Sequence, residues 1–133
     1  MDTKARPWPD IVEFYRGLVE DHGWALEPML ALVRRIEVSP YTNGLVAYTS
    51  MISLAIAQSD ANFLKGPELR IEFDHLESKQ FTFTYVDRAD AKNPWTRKAE
   101  ADEGFEVLER FLVKRARWFR KPGEPESSSP SSA

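Results

Sequence analysis

The chain has 133 residues, of which 42% are hydrophobic and 29% charged, and its net charge is -3. This is the composition of one globular domain with a real core; it excludes a disordered chain and gives no support to a chain-wide nucleic-acid footprint. There is no cysteine, so disulfides, thiolate catalysis, iron–sulfur clusters and Cys-ligated zinc are excluded.

Residues 1–8 read as a flexible arm. The start, Met1-Asp2-Thr3-Lys4-Ala5-Arg6-Pro7, is polar with no apolar run behind it, so no signal peptide is read there. Asp10 and Glu13 have the spacing of a capping box. Ile11, Phe14, Tyr15, Leu18 and Val19 then follow at helical intervals, and Gly23 is a natural stop just after His22. Pro28 suits the first turn of a second helix, which Met29, Leu30, Leu32, Val33 and Ile36 continue. Val33–Val38 can be drawn either as its end or as a strand.

Ser39-Pro40-Tyr41-Thr42-Asn43-Gly44 is a turn. Leu45–Gln58 reads as one long β segment, rich in Val, Ile, Tyr and Thr, with a bend or bulge near Ser50–Ser53. It is too short and too polar to span a membrane. A loop over Ser59–Pro67 leads to the clearest pattern in the chain. Leu69, Ile71 and Phe73 alternate with Arg70, Glu72 and Asp74; Phe81, Phe83 and Tyr85 alternate with Thr82, Thr84 and Val86. A period of two makes this an antiparallel hairpin with one apolar face. After a polar loop at Asp87–Pro94, Trp95–Lys98 is a short edge strand.

Phe105, Leu108, Phe111, Leu112 and Ala116 form the stripe of a last helix, acidic at its start and basic at its end, with Glu106 and Arg110 one turn apart. Residues 122–133 read as a disordered Ser- and Pro-rich tail. The expected architecture is α+β over residues 9–121: an antiparallel sheet of three to four strands, with two N-terminal helices and one C-terminal helix on one face.

Motifs for chemistry are sparse. There is no phosphate-binding glycine loop and no G-x-S-x-G elbow. His22 sits where a helix end favours a cation. His75, with Asp74 and Glu77 in a turn, lacks the supporting shell that a metal site needs. No metal, cofactor or catalytic residue is assigned. The basic run Lys114, Arg115, Arg117, Arg120 and Lys121, interleaved with Trp118 and Phe119, has the composition of a nucleic-acid contact. Basic residues also favour helix ends, and the chain as a whole is acidic, so nucleic acid ranks as the weakest of three readings.

The stretches Tyr48-Thr49-Ser50-Met51, Leu54-Ala55-Ile56-Ala57-Gln58, Leu69–Tyr85 and Gly104–Leu112 resemble small single-domain bacterial proteins of unknown function across about residues 25–119. The chain also resembles, in size, charge and class, the small acidic α+β immunity proteins that neutralise toxins. Neither resemblance carries an activity to transfer; with no signal peptide read and no spanning run, the default expectation is a cytoplasmic protein. Sparse chemistry, many aromatic side chains and a mildly acidic charge make the leading expectation a non-catalytic interaction module for a protein partner, monomeric or homodimeric, with Glu72, Asp74, Thr82 and Thr84 on the sheet's outer face and Trp95 at its rim. The alternative is a small-ligand-binding domain or minor hydrolase, with a pocket between helices and sheet near Tyr48, Ser50 and Arg70.

Overall fold

The computed structural model describes residues 6–58, 67–86, 95–116 and 118. Residues 1–5, 59–66, 87–94, 117 and 119–133 lie outside the described residues, and with them the expected tail over 122–133, the expected loop at Asp87–Pro94, and most of the expected arm over 1–8 and loop over Ser59–Pro67. The elements run α1 (Trp8–Arg16), α2 (Glu27–Glu37), β1 (Val46–Ser50), β2 (Ser53–Ala57), β3 (Glu68–Phe73), β4 (Gln80–Val86), β5 (Trp95–Glu100) and α3 (Gly104–Arg110). The class is α+β, as the alternation over β3 and β4 requires. The sheet has five strands instead of three or four, because Leu45–Gln58 folds back on itself as β1 and β2.

That reversal is a two-residue turn, Met51-Ile52, between paired Ser50 and Ser53. Met51 has φ 56°, in the left-handed region that tight hairpins require and that residues other than glycine rarely enter. The strands then form a simple antiparallel meander in the order β1-β2-β3-β4-β5.

The register sorts side chains into two faces. Ala47, Ile56, Leu69, Tyr85 and Trp95 form one cross-strand row, and Thr49, Leu54, Ile71, Phe83 and Arg97 form the next. Phe73, Phe81 and Ala99 complete this face. It packs with Ile11 and Tyr15 of α1, Met29, Val33 and Ile36 of α2, and Leu108 of α3 into one core. The opposite face carries Tyr48, Ala55, Arg70, Thr84 and Thr96 in one row, and Ser50, Glu72, Thr82 and Lys98 in another.

α1 begins at Trp8, two residues ahead of the expected Asp10 cap. Pro9 fits the first turn, where an N–H is dispensable, and Pro7 accepts backbone bonds from Asp10 and Ile11 at 2.9 and 3.2 Å. No side chain caps the helix. Burial of Trp8 fixes the start: its indole donates to the Leu45 carbonyl at 3.1 Å, tying α1 to the entry of β1. α2 keeps Val33–Glu37 helical, which resolves that stretch, and Pro28 sits in its first turn as expected.

Both α1 and α3 end in a wider, π-type turn: Gly17–Asp21 after α1 and Phe111–Arg115 after α3. In the first, the His22 N–H reaches the Gly17 carbonyl and the Trp24 N–H the Leu18 carbonyl. In the second, the Ala116 N–H reaches Phe111 and the Trp118 N–H reaches Leu112. Each helix thus closes on a tryptophan whose amide is bonded six residues back. Gly23, at φ 72°, supplies the left-handed step in the first case.

Three contacts place α3. A Cβ on Gly104 would stand 2.7 Å from Cε2 of buried Phe81. The Tyr41 hydroxyl donates to the Glu109 carboxylate at 2.7 Å. Phe111 packs on Trp95 and Tyr85, with ring centroids 4.9 and 5.1 Å apart.

Two substitutions test this packing by denaturant or thermal unfolding. Gly104→Ala is expected to lower stability by about 1–3 kcal/mol, as overpacking does where the neighbour is an enclosed ring. Tyr15→Phe removes the hydroxyl that donates to the Ile52 carbonyl at 3.0 Å, and a loss of about 1 kcal/mol is expected.

Candidate functional site

The residues expected to bind a partner do not share one surface. Glu72, Thr82 and Thr84 lie on the outer face of the sheet, as the alternation predicts. Glu72 accepts from the Ser53 hydroxyl at 3.3 Å. Trp95 is on the other face, paired with Tyr85 and packed on Phe111, so it does not stand at the rim of the Glu72 surface.

Asp74 turns into its own loop. Its carboxylate accepts from the backbone N–H groups of Leu76, Glu77 and Ser78 at 3.1, 3.0 and 3.1 Å, and from the Ser78 hydroxyl. These backbone donors, Ser78 first, hold its pKa at about 2. Lys79, at φ 58°, completes the reversal into β4. His75 in the same loop stacks on Trp24, with ring centroids 5.7 Å apart and planes 11° from parallel.

Of the three expected pocket residues, Tyr48 and Arg70 meet through a third. The Tyr48 hydroxyl donates to both oxygens of Glu68 at 3.1 and 3.2 Å, and Arg70 Nε donates to the same carboxylate at 2.9 Å. Burial first, and the Glu68 charge second, push the Tyr48 phenol up from its ordinary pKa. Ser50 lies in the neighbouring row, beside the Met51-Ile52 turn. Much of the outer face's hydrogen-bonding capacity is therefore satisfied within the sheet.

A different cavity lies between a helix and the sheet. It has a volume of about 240 Å³ and is lined by Trp95 and Arg97 of β5 and by Val107, Arg110, Phe111, Lys114 and Arg115 of α3 and its π-type turn. Three guanidinium groups and one ammonium surround it. Among the described residues none of these four cations forms an ion pair. Arg110 does not pair with Glu106, as helical spacing suggests, but faces this cleft.

The apolar wall is held from behind. Phe111 touches Trp95, Tyr85 and Trp118, and Tyr85 lies 6.3 Å from Trp118. Trp118 thus belongs to an aromatic cluster beneath the basic rim. The wider turn at Phe111–Arg115 puts Phe111 into that cluster while Lys114 and Arg115 line the cleft. Such turns recur at functional sites.

Most of this site is not legible from the helix pattern, which offers Arg110 a partner in Glu106 and says nothing of Arg97. The available signal was Arg97 itself. Alternation through β5 puts it on the row of Leu54, Ile71 and Phe83, a cation on the otherwise apolar face at the sheet's edge.

No second cluster offers a metal centre: among the described residues, no three His, Asp or Glu side chains are grouped to hold an ion. No helix among the described residues is long and apolar enough to cross a membrane.

Because the folded pKa of Asp74 lies below its ordinary value of 3.8, its contribution is present above about pH 4 and is lost as pH falls through about 2. Unfolding curves for the native chain and Asp74→Asn are expected to differ by a constant amount above about pH 4 and to converge between about pH 4 and 2.

No family model matches the chain, and no curated protein and no solved structure proves similar to it.

Proposed function

We propose that this protein is a non-catalytic binding module that captures an anionic partner in the cleft between β5 and α3. The observation that carries this reading is the convergence of Arg97, Arg110, Lys114 and Arg115 on a cavity walled by Trp95 and Phe111. Arginine stays protonated at any physiological pH, so such a lining holds charge and does not shuttle protons. Guanidinium forks match the paired oxygens of carboxylates and phosphates. The chain carries a net charge of -3, so four cations at one cleft oppose the general field and make the site locally attractive to anions.

This keeps the interaction-module expectation and the expectation of a pocket between helix and sheet. It sets that pocket at β5 and α3 in place of Tyr48, Ser50 and Arg70. The cleft is preferred to the outer face because Glu72, Glu68 and Arg70 are already engaged there by Ser53, by Tyr48 and by each other, whereas the cleft cations meet no described carboxylate.

Inorganic phosphate is the simplest probe. At constant ionic strength it is expected to raise the thermal midpoint of the native chain more than that of an Arg97→Ala/Arg110→Ala variant, because a ligand that binds only the folded state stabilises it by mass action. At a phosphate concentration about 100 times the dissociation constant the stabilisation is about 2.7 kcal/mol. Equal increases in both proteins would assign the effect to general exclusion of phosphate from protein surfaces and defeat the proposal.

A further inference from the structure

We infer that the anion is the phosphate of a nucleotide whose base lies against Trp95; this rests on the anion-binding reading of the cleft and narrows its ligand. Charge is the first argument. A phosphate monoester carries about -1.5 to -2 and three strong acceptor oxygens, so it answers four cations better than a single carboxylate does. Three of those cations are guanidinium groups, whose planar donor forks engage phosphate oxygens in pairs.

The aromatic wall is the second argument. Trp95 is only partly buried and lines the cavity beside Phe111, whose ring lies 4.9 Å away and is itself packed on Tyr85 and Trp118. An indole supported in this way gives a flat base a preorganised surface, and such stacking tolerates any base. Space is the third. About 240 Å³ is small for a ligand cavity and suits one base with its phosphate in an open cleft, not a dinucleotide. The same chemistry is presented by a free mononucleotide and by one unit of a single strand.

Calorimetric titration of the full chain with adenosine monophosphate, inorganic phosphate, adenosine and a short oligodeoxyadenylate tests this. Adenosine monophosphate is expected to bind about tenfold or more tighter than inorganic phosphate, the margin a stacked base contributes. Trp95→Leu is expected to cost adenosine monophosphate more affinity than it costs inorganic phosphate, so that the margin closes, and Trp95→Phe, which keeps a ring against Phe111, to restore most of that margin. Arg110→Ala is expected to weaken both ligands. Tighter binding of the oligonucleotide, with affinity falling steeply as salt rises, would support the inference with a single strand as the source; a preference for the mononucleotide would support it with a free nucleotide. If phosphate binds as tightly as adenosine monophosphate, the nucleotide inference falls and the anion reading stands. Binding of neither overturns both.

Discussion

The approach of α3 to Phe81 is the constraint on which the cleft depends. A helix can lie this close to an enclosed aromatic ring only where its backbone brings no Cβ, and Gly104 provides that point of contact. From there the Tyr41–Glu109 hydrogen bond and the packing of Phe111 on Trp95 fix where the helix runs and which way it faces. Arg110, Lys114 and Arg115 reach β5 because the apolar side of α3 has been pinned to the sheet. The proposed binding surface is thus the reverse side of a packing solution, and rigidity at Phe81 becomes geometry at Arg97.

Burial and charge divide the labour along the fold. The helix-covered face of the sheet is almost wholly apolar until β5, the last strand, where Trp95 is half covered and Arg97 is exposed. A cation placed at the sheet's centre would face a desolvation cost of several kcal/mol. At the edge it keeps its water and can still aim at a ligand. Opposite, the outer face spends its polar groups on itself, through the Tyr48–Glu68–Arg70 and Ser53–Glu72 contacts.

The fold class was legible because β3 and β4 alternate at every position up to Val86, and no helix can imitate a period of two over that length. The β1–β2 reversal was not, since Ser50-Met51-Ile52-Ser53 contains none of the Gly, Asn or Pro by which tight turns announce themselves. Met51 adopts the left-handed conformation because the pairing on either side obliges it to. The start of α1 escaped for a similar reason: the spacing of Asp10 and Glu13 is genuine, but tertiary burial of Trp8 outweighs a local cap. The basic residues at the end of α3 were visible as a composition. Their convergence with Arg97 was not, because it joins an edge strand to a helix end through a turn that departs from the 3.6-residue period.

The position of Arg97 has another consequence. β5 is the last strand of the meander, and such a margin exposes unsatisfied amides that invite a neighbouring molecule to extend the sheet. Charged side chains along it oppose that kind of fibrous growth, and Arg97, Lys98 and Glu100 supply them. The guanidinium that lines the cleft therefore opposes such growth as well, a use that does not depend on the proposed binding.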